Sequence, residues 1–273
     1  MIEKKEEGCS MQIGIKGCHV ETWQYQNIHL FYPLQKAHIT GDIFKKRGGM
    51  FTALPNYGKA VEVEGVMLPQ HGTFRDTNSY SFFENSSKVK GKYALEKNDA
   101  YHDVSVVQEI KLLEKECGFE QMTTISLKAG AKKAVPLNIG LHPYFAVNAR
   151  PGKEPFIVSI PTIVEPVTMK SLFPNKESYS LLVPLPPGVN FLSVMTNGRG
   201  EGNQPIIIDM KFSDVFKNVV IWTDNPGKYI CVEPIMSDWH SFPEDAYKLH
   251  PGKNLLLYAS FALVNKTAEF YNK

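Results

Sequence analysis

The sequence lacks several features that would settle its class at once. No run of 18 apolar residues occurs, so no membrane-spanning helix is expected. The first residues, Met1-Ile-Glu-Lys-Lys-Glu-Glu-Gly8, are charged and have no apolar stretch, so no secretory signal is expected. Neither sign of charge dominates. Thirty Lys and Arg stand against 28 Asp and Glu, a net charge of +2, which gives no basic surplus for a nucleic-acid partner. Cysteine is scarce: Cys9, Cys18, Cys117 and Cys231. They form no Cys-x-x-Cys pair. Cys9 and Cys18 lie too far apart for a zinc knuckle, and no histidine pair completes one. An even count allows two disulfides. In a chain this long and cysteine-poor, the reading is four free thiols in a reducing compartment. These absences together point to the cytoplasm. A repeat of 20–50 residues and a long amphipathic helix are also missing.

What is present reads as β-structure. The 273 residues suit one large all-β domain or two small ones. Eighteen prolines and twenty glycines, spread along the chain, imply many turns. Short alternating runs, at Met11–Ile15, Ile28–Tyr32 and Ser105–Leu113, have the period of half-buried strands. Thr123–Leu127 and Phe156–Ile160 are rich in β-branched residues. Pro205–Asp209, Asn218–Trp222, Tyr229–Glu233 and Asn254–Val264 read as more fully buried strands. The turns between them are too short for helical crossovers, which favours antiparallel pairing. Residues 1–10 are expected as a flexible tail and 11–273 as a single domain. The segment Ser241–Leu249 is expected to hold a short helical turn.

Three stretches carry chemistry. Asn138-Ile-Gly-Leu-His-Pro-Tyr-Phe145 places a histidine, a proline and two aromatic rings within four residues. Pro143 biases His142 towards an extended backbone, and Gly140 leaves room for another chain or a ligand. Such a histidine suits proton transfer to a small polyol, and equally suits a buried core strand. The loop-rich segment 49–80 contains His71, Gly72 and Arg75; long loops in compact domains tend to be functional. Glu233 ends the apolar run Tyr229-Ile-Cys-Val, where a carboxylate needs a partner or a ligand. The glycines of 197–202 lack the Lys-Ser or Lys-Thr and the helix of a phosphate loop.

These pieces, in order, resemble the aldose 1-epimerase (galactose mutarotase-like) family. The resemblance runs from about Gly48 to Val264. It rests on Gly48-Gly49 followed by Pro55-Asn-Tyr-Gly58, on His71-Gly72-x-x-Arg75, on the octapeptide ending at Phe145, and on Tyr229-Ile-Cys-Val-Glu-Pro234. Pro251-Gly252-Lys253 before the last strand also fits. The resemblance implies a large antiparallel β-sandwich of the supersandwich type with a sugar bound across one sheet. It implies His142 as the general acid on the ring oxygen and Glu233 as the base on the C1 hydroxyl. His71 is then the second histidine holding the sugar, and Arg75 orders the site or contacts substrate. No cofactor and no metal are implied. The partner is a monosaccharide, neutral or phosphorylated, and the protein a monomer or homodimer.

Two stretches depart from the family pattern. Around residues 50–57 the chain is looser than the usual Pro-x-Leu-Phe-Pro form. Gly188-Val-Asn-Phe-Leu192 sets Asn190 where many members carry a sugar-binding aspartate, with Asp209 and Asp214 near enough in sequence to compensate. Two rivals to a mutarotase stay in play, the first of them motivated by Asn190. One is a non-catalytic carbohydrate-binding sandwich. The other is a hexose-6-phosphate 1-epimerase, which Lys and Arg at the cleft mouth would favour.

Overall fold

In the strand Val104–Leu112, buried and half-buried residues alternate almost to its end. One face therefore meets a core, and each fully buried Val, Ile or Leu there contributes about 1.5–3 kcal/mol. The same logic repeats through the computed structural model. It describes residues 2–6, 8–40, 43–85, 87–95, 100–114, 116–148, 154–161, 163, 165–169, 179–196 and 205–264. The described residues form two nine-stranded sheets and three two-stranded ribbons.

The first sheet runs Ile2–Glu6, Cys9–Ile13, Val20–Tyr25, Met50–Ala53, Gly140–Ala146, Tyr229–Ile235, Asn218–Thr223 and Tyr179–Pro184, with Ile28–His29 beside Val20–Tyr25. The second runs Ser81–Glu84, Lys88–Ala94, Val104–Leu112, Gly118–Leu127, Asn254–Val264, Ile206–Phe212, Phe191–Thr196, Phe156–Ser159 and Val167–Thr168. Every described strand pair is antiparallel, for example Val104↔Leu127 and Gly118↔Ala262. The fold is all-β, a large antiparallel sandwich, as the turn-rich sequence predicts. Only a single 3-10 turn, Trp239–Ser241, lies near the helical turn expected at Ser241–Leu249.

Between the sheets lies the main core. Trp23, fully buried, meets Phe31 and Phe119 edge-on at centroid distances of 5.0 and 5.3 Å. Phe261, from the last strand, stacks on Phe119 at 4.9 Å. Edge-to-face rings of this kind add to the area they bury. Gln108 occupies a buried position of its strand. It accepts hydrogen bonds from Thr52 (3.1 Å) and Thr123 (3.2 Å), and its amide donates to the Cys18 carbonyl (3.3 Å). Thr52 belongs to the first sheet and Thr123 to the second, so this network joins the two layers.

Two expectations change. The boundary set at residues 10/11 falls inside a hairpin, because Ile2–Glu6 pairs with Cys9–Ile13. The cysteines are not four free thiols. Cys9 and Cys117 form a disulfide, 108 residues apart in sequence with Cα atoms 5.2 Å apart, while Cys18 and Cys231 are free and buried. The strand Gly118–Leu127 brings Cys117 up to Cys9 of the first sheet, a proximity that sequence spacing does not encode. The cysteine count therefore gives no basis for a reducing compartment. No described helix is long and apolar enough to cross a membrane. The glycine run 197–202 lies outside the described residues.

Candidate active site

The site is built by strand register. Gly140↔Ile235 and Tyr144↔Cys231 fix the pairing of the two central strands of the first sheet, which sets His142 opposite Glu233. On the other side His142 faces Phe51. Side chains alternate across a strand. His142 and Tyr144, with Cys231 and Glu233, therefore rise from the face turned away from the main core. Leu141, Phe145, Ile230 and Val232 point into that core. The outward face forms the floor of a cleft of about 990 Å³.

The His142 ring is sandwiched between Phe51 (4.7 Å) and Tyr144 (4.8 Å, nearly parallel) and is only 4 % exposed. Its Nε2 lies 3.3 Å from Glu233 Oε2, and its Nδ1 is buried with no hydrogen-bond partner. The Tyr57 hydroxyl donates to the same carboxylate oxygen. Tyr57 reaches it by lying across Gly140, where a Cβ would come within 2.4 Å of the tyrosine ring. The room that Gly140 leaves is thus taken by the loop Pro55–Gly58.

Burial sets the electrostatics. It pushes the Glu233 carboxyl up to about 8, although the Tyr57 hydrogen bond and the Arg47 charge pull the other way. It pushes His142 well below the usual imidazole value, helped by the nearby basic groups His71, Arg47 and Arg75. Between the depressed imidazole value and about pH 8 the pair thus holds one proton, on the carboxyl, and the contact is a hydrogen bond between neutral groups.

His71 stands on a strained turn. It has φ +62°, and the following Gly72 has φ +71° with room for no Cβ, which would fall 2.1 Å from the Leu54 carbonyl. The Gly58 N–H donates to His71 Nδ1 (3.3 Å), so the neutral ring carries its proton on Nε2. The His71 ring meets His142 edge-on at 5.0 Å. Arg75 lies one turn on, in the 3-10 segment Phe74–Asp76. Its guanidinium sits 5.0 Å over the Phe51 ring, with Nε 3.5 Å from Asp76.

Four of the five expected residues, His71, Arg75, His142 and Glu233, therefore line one cleft. Asn190 does not. It is exposed, next to the strand Phe191–Thr196 of the second sheet, and its amide donates to Asp214 (2.9 Å). Asp209 accepts from Ser193 in that same sheet (2.7 Å). Neither aspartate reaches the cleft to compensate. Alignment by chain order misplaces Asn190, because the strand after it belongs to the back layer.

Sequence reasoning gave no role to Tyr57, Arg47 or His19. Arg47 reaches Asp224 through Nε (3.1 Å) and Nη2 (2.8 Å) and lies 5.3 Å over the Trp222 ring. His19, its imidazole lowered to about 4 chiefly by burial, reaches the Gly48 carbonyl (3.3 Å). The signal for Tyr57 was its place in the quoted Pro55–Gly58 loop; for Arg47 no local pattern existed. Lys16, Lys46 and Lys59 also line the cleft, against Glu21, Asp76 and Glu233. His142, Cys231 and Glu233 offer donor atoms within 4.8 Å of one another, the described group of this kind that could hold a metal ion.

No protein-family model and no curated protein matches the sequence. Solved structures do. A galactose mutarotase-like protein from Lactobacillus casei ATCC 334 superposes with a TM-score of 0.72 at 15 % identity, over 97 % of this chain and 100 % of the other. A galactose mutarotase related enzyme from Lactobacillus acidophilus gives 0.68 at 15 % identity, over 98 % of both chains. An aldose epimerase homologue from C. elegans gives 0.64 at 11 % identity, over 96 % and 98 %. Identities this low speak for architecture alone, and over nearly its whole length the chain has the galactose mutarotase-like fold.

Proposed function

We propose that the protein is an aldose 1-epimerase, interconverting the α and β anomers of an aldose by opening and reclosing its ring. The observation that carries this reading is the opposed His142–Glu233 pair, sharing one proton at the floor of an aromatic-walled cleft. Anomer exchange needs a proton taken from the C1 hydroxyl and another delivered to the ring oxygen. Glu233 is the base and His142 the acid. In the empty cleft burial leaves the proton on Glu233, so transfer across the 3.3 Å contact must first generate carboxylate and imidazolium. Arg47 favours that carboxylate. The ring then opens, the C1 carbonyl turns, and reclosure returns both protons by the reverse transfers. His71 Nε2–H and Arg75 hold sugar oxygens, and Trp222 and Trp239 offer flat faces to the sugar's C–H side.

The case for a non-catalytic module was motivated by Asn190. Its place outside the cleft removes that motive. A second reading gains support instead: five cations line the cleft against three acids, one of them Glu233. An aldose bearing a phosphate would gain charge-assisted hydrogen bonds there. The test is equilibration of a freshly dissolved pure anomer, followed by polarimetry or NMR exchange, across neutral and phosphorylated aldoses. Acceleration over buffer supports epimerase action. Rates equal to buffer for every sugar would sink it.

A further inference from the structure

We infer that the cleft floor is also a binding site for a thiophilic divalent cation of the zinc type, held by His142, Cys231 and Glu233. The proton-transfer reading makes no use of Cys231. Strand alternation nevertheless sets it on the cleft side, two residues before Glu233 and paired with Tyr144, the ring that flanks His142. One donor atom from each of the three side chains lies within 4.8 Å of the other two. His142 Nε2 and Glu233 Oε2 are already 3.3 Å apart. Zinc bonds of about 2.0–2.3 Å in a tetrahedral shell place donors roughly 3.3–3.7 Å apart. One edge therefore has the required length, and the others close by small side-chain rotations.

The donor types select the ion. Imidazole nitrogen, thiolate sulfur and carboxylate oxygen make a three-ligand zinc set with a fourth position open to water. Magnesium and calcium prefer oxygen alone. With the ion on Nε2 the ring proton sits on Nδ1, which is buried on the side of the ring away from the ion. On binding, the Cys231 S–H bond and the Glu233 carboxyl O–H bond break, both protons pass to the buffer, and sulfur–zinc and oxygen–zinc bonds form. No oxidant or reductant is needed. The ion then occupies the lone pair of His142 and the carboxylate of Glu233, so it stops their proton exchange. That inhibition rests on the proposed epimerase reading; the binding does not.

The experiment uses the full chain in chelator-treated buffer, titrated with zinc chloride in a calorimeter. Cobalt(II) serves as a second probe, because a thiolate ligand gives it a sulfur-to-metal charge-transfer band. One equivalent of zinc is expected, with no competition from magnesium. Cys231→Ser and Cys231→Ala should each weaken zinc binding by no less than the roughly 10–100-fold seen when an outer-shell partner is removed. Both should abolish the cobalt band. Cys18→Ala, at the other free thiol, should change neither. If neither Cys231 variant folds, the wild-type cobalt spectrum decides by itself: no thiolate band overturns the site. No zinc uptake by the wild type, or equal uptake by the Cys231 variants, also overturns it. In the same samples zinc should halt anomer exchange and a chelator should restore it. Turnover untouched at saturating zinc overturns the inhibitory role. Cys231-dependent binding without turnover of any aldose leaves the site standing and overturns the epimerase reading.

Discussion

Two buried polar clusters lie back to back across the strand Met50–Ala53. On its core side, Thr52, Gln108, Gln121 and Thr123 bridge the sheets through hydrogen bonds of 3.0–3.4 Å. On its cleft side, beyond Phe51, Tyr57, His142, Cys231 and Glu233 gather around one carboxylate. Both clusters are buried, and each leaves one atom unpaired, Gln121 Oε1 and His142 Nδ1. They differ in what burial does to them. Amides and hydroxyls of the first carry no titratable proton near neutrality, so a dry environment only strengthens their mutual bonds. The second consists of groups whose charge states burial reorders, holding a carboxyl neutral beside a neutral imidazole. A buried polar cluster can lock layers together or hold a proton ready, and the residue types decide which.

The sharpest way to break this contrast is Glu233→Gln. It keeps shape and hydrogen bonding but cannot take the proton, so turnover should fall about 10²–10⁴-fold. His142→Asn should do likewise, and the double variant should fall well short of the product of the two losses. Sugar affinity should change little. Glu233→Gln should also gain stability relative to wild type as pH rises from 4.5 to about 8. Over that interval the unfolded carboxyl ionises while the folded one stays protonated. Near-wild-type turnover in a folded Glu233→Gln would remove the mechanism.

Next in size is the pH profile. Activity needs one proton on the pair. It should be bell-shaped, with an alkaline limb near pH 8 and an acid limb well below 6.5. Tyr57→Phe removes a hydrogen bond that lowers the Glu233 value, so its alkaline limb should move upward. A limb that stays put would deny Tyr57 that part.

On the core side, Gln108→Leu should cost about 1–3 kcal/mol for each polar partner left unpaired, read as a lower melting temperature. Its rate per folded molecule should stay near wild type. A large rate loss with unchanged melting would erase the division between the two clusters. The smallest effect is expected at Arg75. It is one-third exposed and already near Asp76. Arg75→Ala should weaken a phosphorylated aldose roughly tenfold more than a neutral one, given about 1.5–3 kcal/mol for charged hydrogen bonds reduced by solvent. Equal losses would mean that Arg75 only orders the site.

Much of the fold was legible because alternation is local. Asn254–Val264 was read to the residue, and Val104–Leu112 within one. His142 and Glu233 stood out because each sits in a run whose neighbours explain its placement poorly. Non-local relations were not legible. The Cys9–Cys117 bridge, the Arg47–Asp224 pair and the Tyr57–Glu233 bond span 108, 177 and 176 residues. Asn190 was misassigned for the same reason: a chain running past the site in sequence was in the other layer in space.

The register that sets His142 against Glu233 also fixes when a working site can exist. Its parts come from the loop at Tyr57, a strand near mid-chain and a strand starting at Tyr229, and the back sheet behind them is completed by Asn254–Val264. Contacts so distant along the chain carry a high loop-closure cost and form late. Recovery of activity after dilution from denaturant should therefore trail the recovery of β-sheet signal, and a chain released before its final strand should bind and turn over nothing.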